Sequence, residues 1–516
     1  MISAASLRGT TCRAGHSLTV EQQNAIDTVD YAVRRDRRHV VTYAYAGGGK
    51  TFILTRIAQQ IPGNGIYMAF NDAIVRDIKG KLPKRVLAMT SHQFALCGLP
   101  PDFSLAVRNS LKEHGGQIAG PQIVQVLRLQ SFYAHHLDIP AHAIAGLARR
   151  TVTQFCNSAD LQIEEKHLPA LPNVPGVRPA ILDAARRLWD AQIRLALPIG
   201  HDIYFKAWSL SGPALPGDFR LVDEAQDTNP ALASVLFGQR RGQTVWTGDP
   251  YQGIYGWRGA RDAMLMAREQ DALTARLTRS FRFGEETAAA ATRLLGTLGE
   301  THPVLGTGST KIQQAPDGLT PSRVAELVKG QQFAWIAFSN GALIAAATDC
   351  AIHDIPFHIV GSGKEEQRLI YAAMSLRGDK YDANGPLAGY HHWSELEEDA
   401  EAFPNSEAGR LLKISRFPGF GTVLDALKRS EKTESTARVI LTTAHRSKGR
   451  EWDLVVLDSD LDATNDNPKS GRRFFTENGR LRFDNKEDIH LRYVAATRAR
   501  KRLVVACPEL YRWLTC

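Results

Sequence analysis

The chain has 516 residues, 43% hydrophobic and 23% charged, which is the composition of a folded protein of three or four domains and excludes a disordered one. Its formal net charge of +9 favours a polyanionic partner, of which nucleic acid is the commonest. No uninterrupted apolar run reaches membrane-spanning length, and the six cysteines (Cys12, Cys97, Cys156, Cys350, Cys507, Cys516) are far apart without a CxxC. These features argue against a membrane protein, a zinc ribbon, an iron–sulfur cluster or a disulfide framework, and lead us to expect a reducing, cytoplasmic setting.

Residues 1–17 carry arginines but no continuous apolar stretch or small-residue cleavage pattern, and read as a flexible lead, not a signal peptide. From 18 to 100, strand-like and helix-like stretches alternate. HVVTYA (39–44) is β-branched and aromatic, IYMAF (66–70) is a second apolar run, and VLAMT (86–90) is a third strand. Between them Asn71 and Asp72 can cap a helix with Ile74, Val75 and Ile78 on one face. Leu, Ala, Arg and Gln at helical spacing dominate 101–205, which reads as a helical insertion. GPALPGD (212–218) turns back to the first sheet, and LVDEA (221–225) and TVWTG (244–248) add strands to it, so that 206–262 completes the first domain.

The second α/β block covers 263–365 and 436–516, with strand candidates FAWIAF (333–338), FHIV (357–360), RVIL (438–441), LVVLD (454–458) and RLVVA (502–506). Residues 366–435 form a second, short helical insertion, with an acidic cluster of Glu395, Glu397, Glu398, Asp399 and Glu401. Strands alternating with helices predict parallel sheets covered on both faces.

AYAGGGKT (44–51) follows a strand and opens a helix. It departs from GxxxxGK[ST] in placing Ala44 at the first glycine position. Three glycines let backbone wrap round phosphate oxygens, the helix N-terminus adds its dipole, Lys50 adds a point charge, and Thr51 offers a hydroxyl to Mg²⁺. LVDEAQD (221–227) delivers two carboxylates to a strand end, Asp223 for the Mg²⁺ shell and Glu224 to orient or deprotonate the attacking water. The blander alternatives are a glycine-rich turn and a capped helix start.

AGGGKT, DEAQD and GDPYQGIYGWRGA (248–260), in this order, resemble superfamily 1 helicases of the UvrD/Rep/PcrA type. LTVEQQNAI (18–26) resembles the Q motif, AFNDAIVRDIKGKLP (69–83) and TSHQFA (90–95) the single-strand-contacting motifs Ia and Ib, and LTRSFRF (277–283) motif IV. TTAHRSKGREWDLVVL (442–457) resembles motif V and YVAATRARKRL (493–503) motif VI. The likeness runs from about 18 to 505 and is strongest to the F-box DNA helicase branch and its short bacterial and phage relatives, although no F-box-like segment is expected ahead of the motor. It implies an α/β fold: two RecA-like P-loop NTPase parallel-sheet domains in tandem, each with a mostly helical insertion.

The resemblance also implies roles. Gln22 would read the adenine edge, and Ala46, Gly47, Gly48, Gly49, Lys50, Thr51 and Phe52 would hold the phosphates of ATP. Gln252 would sense the γ-phosphate, Arg282 and Arg498 would serve as arginine fingers, and Glu451 would contact the ribose. Phe70, Asn71, Thr90, His92, Tyr255, Trp257, Arg258 and His445 fall at DNA-contacting positions. Trp257 replaces the family's usual Phe, Gly253 stands where Ser is frequent, Gly256 loosens the approach to Trp257, and the 366–435 insertion is shorter than in the large bacterial relatives. The function expected is an ATP-dependent 3′→5′ DNA helicase acting in repair or recombination on single strands and duplex–single-strand junctions. The rival readings are a translocase that strips bound protein and a nucleotide-switched binding module.

Overall fold

The computed structural model describes residues 18–515 except 70–71, 117, 119, 135–136, 172–173, 255–261, 362, 381–385, 388–389, 403–406, 417–418, 462–473, 478–479 and 484. Two compact units emerge from the contacts: one runs up to Ala44 and over Gly49–Leu277, the other takes Tyr45–Gly48 and the chain from Thr278 onward. No helix among the described residues is long and apolar enough to cross a membrane.

In the first unit, β1 (His39–Ala44), β2 (Gly65–Ala69) and β3 (Val86–Thr90) are followed by helices and a short hairpin of β4 (Phe132–Ala134) and β5 (Leu137–Ile139). The chain then returns through β6 (Phe219–Asp223), β7 (Gln243–Gly248) and β8 (Leu273–Leu277). Six of these strands form one sheet in the order β3-β2-β6-β7-β1-β8, with every pairing parallel. Parallel pairing needs a crossover between neighbours, and the intervening helices supply it.

The period of two along each strand divides the core. Val41, Met68 and Trp246 face a cluster shared with Val107, Ile144 and Leu188 of the helices in 101–205, whereas Val40, Tyr67 and Val245 face Ile53, Ile57 and Ile26 on the other side. The inserted helices thus share one core with the sheet. Val75 and Ile78 of the helix Asp72–Lys79 are buried, with Ile74 packed beside them, on the face expected from their spacing.

Two differences from the sequence reading have physical reasons. The strand read at 221–225 is Phe219–Asp223, because Glu224 turns into the left-handed region at φ 52° and stops it. Beyond residue 262, where the second domain was expected to begin, β8 extends the first sheet by pairing with β1 from Val40↔Leu273 to Ala44↔Leu277. Its sequence, LTARL, lacks the β-branched run that marks the other strands.

The second unit opens with β9 (Arg279–Gly284) paired in parallel with β10 (Leu305–Gly308). Its sheet uses β11 (Lys311–Gln314), β12 (Phe333–Ala337), β13 (Phe357–Ile359), β14 (Val439–Thr443) and β15 (Trp452–Leu457). The hairpin β16 (Phe474–Glu477) and β17 (Arg480–Phe483) intervenes before β18 (Ala499–Val505). The order is β11-β18-β15-β12-β14-β13, again all parallel. The helices Lys364–Arg377, Trp393–Ala402, Glu407–Arg416 and Phe420–Lys428 fill the stretch read as the second insertion. Leu369, Ile370, Leu411 and Val423 from them lie in one cluster with Trp335, Val439 and Leu454 of the sheet, so this insertion is built into the core of its unit. Full burial of such a side chain contributes roughly 1.5–3 kcal/mol.

Candidate functional site

The first unit gathers its polar side chains at the C-terminal edge of the sheet, the edge at which open α/β sheets bind ligands. β1 ends at Ala44, and the helix Lys50–Gln60 starts at Gly49, which caps it at φ 79°. The missing first glycine of the motif is explained here: Ala44 is an ordinary buried strand residue, and left-handed backbone is required only at Gly47 (φ 75°) and Gly49. Two strands away in the order β6-β7-β1, Asp223 closes β6, and Lys50 Nζ lies 3.3 Å from Glu224 Oε1. The left-handed backbone at Glu224 is uncommon for a residue with a side chain and costs of order 1–3 kcal/mol, a strain typical of functional positions.

A chain of hydrogen bonds leads away from this pair. Gln226 Nε2 donates to Glu224 Oε2 at 2.5 Å, while Gln226 Oε1 accepts from Asp249 N at 3.0 Å. Asp249 then accepts from Tyr251 N at 3.1 Å and from Gln252 Nε2 at 2.7 Å. A Cβ at Gly248 would stand 2.2 Å from Gln226 Oε1, so only glycine lets the amide pass there. Gln226, Asp249 and Gln252 are buried, and the chain of hydrogen bonds ties Gln252 to Glu224.

Asp223 lies beneath. Its carboxylate accepts from Tyr67 Oη at 2.5 Å and from Glu224 N at 2.9 Å. Burial, and then repulsion from Glu224, push its pKa up to about 6 against the opposing pull of Tyr67 and Lys50. Burial and the neighbouring Asp223 also raise the Tyr67 hydroxyl, which stays a donor. A desolvated carboxylate beside a second one suits a cation. Among the described residues no group of three or more His, Cys, Asp or Glu could hold a metal alone. That fits Mg²⁺, which commonly takes one or two protein oxygens and completes its shell with water and phosphate.

Tyr45–Gly48 are counted with the second unit. There Ala46 N donates to Tyr493 Oη at 3.0 Å and Phe281 N donates to Gly47 O at 2.9 Å, with Gly48 N closing a turn on Tyr45 O at 2.8 Å. A Cβ at Gly47 would meet Ser280 Oγ at 2.3 Å and Arg282 Cβ at 2.8 Å. Arg282 Nε donates to Glu451 Oε2 at 2.6 Å and its Nη1 to Thr497 O at 3.2 Å. Arg498 is 1% exposed and donates to Val494 O, Arg450 O and Thr497 Oγ1 at 2.7, 3.2 and 3.0 Å. Thus Arg282 and Glu451, given separate roles in the sequence reading, form an ion pair, and Arg498 is bound to two carbonyls and a hydroxyl of its own unit.

The remaining candidates are placed as follows. Gln22 is buried in a capping box, its Oε1 accepting from Thr19 N at 3.1 Å. Thr51 sits in the first turn of the helix Lys50–Gln60, and Phe52 lies under the Arg56 guanidinium at 5.1 Å. Thr90 caps the helix Ser91–Gly98, accepting from Gln93 N at 3.2 Å. His92 stacks on Phe205 at 4.7 Å, and burial holds its pKa below the usual histidine range. His445 occupies the turn after β14, beside Arg446, which pairs with the fully buried Glu366 at 2.6 Å. Phe70, Asn71, Tyr255, Trp257 and Arg258 lie outside the described residues. Sequence reasoning missed Tyr67, Gln226 and Asp249. The last two stand inside the quoted motifs DEAQD and GDPYQ, whereas Tyr67 sits in an apolar strand and gave no signal.

Comparison with known proteins finds helicase relatives. Residues 218–272 match the UvrD/REP helicase N-terminal domain and 394–509 the UvrD-like helicase C-terminal domain. The F-box DNA helicase protein 1 of Schizosaccharomyces pombe is 28% identical over 495 residues, covering 90% of this chain and 55% of its own length. The F-box DNA helicase 1 of Gallus gallus is 25% identical over 532 residues, covering 95% and 49%. The ATP-dependent DNA helicase Rep of Salmonella typhimurium is 28% identical over 273 residues, covering 44% and 36%. The chain therefore spans about half the length of the F-box DNA helicases it matches. With segments matching both the N-terminal and the C-terminal helicase family models set on parallel-sheet units, the chain is similar to the UvrD/Rep-type superfamily 1 helicases.

Proposed function

We propose that this chain is an ATP-dependent motor that moves 3′→5′ along single-stranded DNA and unwinds duplex, in DNA repair or recombination. The observation that carries the reading is Lys50 Nζ at 3.3 Å from Glu224 Oε1 beside the buried Asp223, at the C-terminal edge of the first sheet. In this reading Lys50 neutralises the β- and γ-phosphates of ATP, and Glu224 turns from Lys50 to the attacking water once a phosphate takes the lysine. Thr51 and Asp223 would hold Mg²⁺, which supplies charge neutralisation between the phosphates. Gln252 senses the γ-phosphate and reports it to Glu224 through Asp249 and Gln226. Gln22 reads the adenine edge with the NH₂ end of its amide, since its oxygen is spent on the cap. Arg282 and Arg498 stabilise transferred charge as arginine fingers, after exchanging their present partners. Phe70, Asn71, Thr90, His92, Tyr255, Trp257, Arg258 and His445 form the DNA face, with stacking worth ~1–3 kcal/mol per base.

Strand separation on 3′-tailed, 5′-tailed and blunt duplexes tests the reading. The 3′-tailed substrate should open in an ATP-dependent reaction and the others should not. Equal opening of the 5′-tailed substrate would refute the direction, and opening of none would leave a translocase.

A further inference from the structure

The opposite edge of the first sheet, where its strands begin, carries charge that nucleotide chemistry does not use. β1 is entered through Arg37 and Arg38, β7 through Arg240 and Arg241, and β3 through Lys81, Lys84 and Arg85. The register aligns these entries: His39 pairs with Thr244, Gln243 with Phe219, Phe219 with Gly65, and Gly65 with Val86. Arg37, Arg38, Arg240, Arg241, Lys81 and Lys84 are exposed, and among the described residues none has an ion-pair partner. Acids on the same edge are fewer: Asp36, Asp218 and Asp271, of which Asp218 accepts from Asn64 N at 2.8 Å.

The edge is rigid. Arg37 N donates to Ala32 O at 2.9 Å and Thr244 N to Arg38 O at 2.7 Å. From below, the buried guanidinium of Arg220 donates to Arg241 O at 2.7 Å and adds its own charge. His39 between them is kept neutral, its pKa lowered to about 4 by burial and by Arg38 and Arg220. A cleft lined by Asp36, Arg37, Arg38, His39, Gln270 and Asp271 opens at this end. Tyr31, an exposed ring nearby, is covered by the Arg35 guanidinium at 5.8 Å, so it offers little to an unstacked base.

We infer that this strand-entry edge is a second DNA surface, one that grips the phosphate backbone of duplex without reading sequence. From β1 to β3 is four strand spacings of about 4.8 Å, roughly 19 Å, the axial length of about five to six base pairs. The six-residue β1 separates it from the loop before Lys50 by roughly 20 Å at about 3.3 Å per residue, so duplex can sit there while nucleotide turns over. Cations carried on a hydrogen-bonded backbone suit phosphates, whereas single strands call for stacking platforms.

The inference adds to the proposed function, and its test reads the two separately. Binding of a fluorescent 20-base-pair blunt duplex is titrated against salt for the full chain and for Arg37→Ala/Arg38→Ala/Arg240→Ala/Arg241→Ala, alongside oligo-dT-stimulated ATP hydrolysis. The variant should lose tenfold or more in duplex affinity, and its log–log salt slope should fall by about 3.6, since each of the four phosphate contacts removed contributes about 0.9. Its oligo-dT-stimulated turnover should match the parent. A milder pair, Arg37→Gln/Arg241→Gln, should give about half the slope change if the quadruple variant misfolds. Unchanged duplex affinity and slope would overturn the inference, as would an equal loss of duplex and oligo-dT binding. Absent turnover in the parent would instead count against the motor.

Discussion

The charged centres of the two units are satisfied in opposite ways. In the first, Asp223 and Glu224 are adjacent carboxylates, one buried with its pKa raised to about 6, and Lys50 stands close to them. In the second, Arg282 is paired with Glu451 and Arg498 is hydrogen-bonded to Val494, Arg450 and Thr497. A buried carboxylate beside a second one calls for positive charge, while an arginine already paired and hydrogen-bonded is stable where it is. Under the proposed function, the contrast would put the chemistry in the first unit, and the arginines of the second would have to exchange partners before taking part.

The largest effect expected from breaking this contrast is at Glu224. Glu224→Gln should lower ATP hydrolysis by about 10²–10⁴-fold while a fluorescent ATP analogue still binds. Near-parental turnover would remove Glu224 from the reaction. Next come the arginines. Arg282→Ala should reduce turnover by roughly 10³-fold with little change in melting temperature, because its ion-pair partner Glu451 is exposed. Arg498→Ala should cost turnover and also lower the melting temperature, since three acceptors, two of them in buried bonds, lose their donor. A fall in stability alone for Arg498→Ala would make that residue purely structural.

The smallest effect concerns Asp223. Its folded pKa lies above the ordinary 3.8, so the protein is favoured by protonation there, and that advantage is lost as pH rises through about 6. In EDTA, Asp223→Asn should therefore melt above the parent at pH 7.5, and the gap should narrow by pH 5. A gap that widens on acidification would contradict the burial argument.

Much of this was legible in the sequence for local reasons. HVVTYA, VLAMT and FAWIA are β-branched or aromatic, fully or alternately buried, and fold where the pattern predicts. The glycine triplet and DEAQD marked the loop before Lys50 and the carboxylates, and the structure brings Lys50 and Glu224 together at one edge of the sheet. β8 was hidden because LTARL is held in place by β1 and not by its own propensity. Tyr67 was hidden for a related reason: only the pairing of β2 with β6 brings its hydroxyl to Asp223. The basic strand-entry edge was also unreadable, since its arginines come from loops that the sheet order alone aligns.

The most direct test of the central claim is steady-state ATP hydrolysis by the full chain and by Lys50→Ala, each with and without oligo-dT. The account predicts turnover that rises with single-stranded DNA in the parent and is abolished in a normally folded Lys50→Ala. Hydrolysis surviving without the lysine, or a parental rate indifferent to DNA, would contradict it.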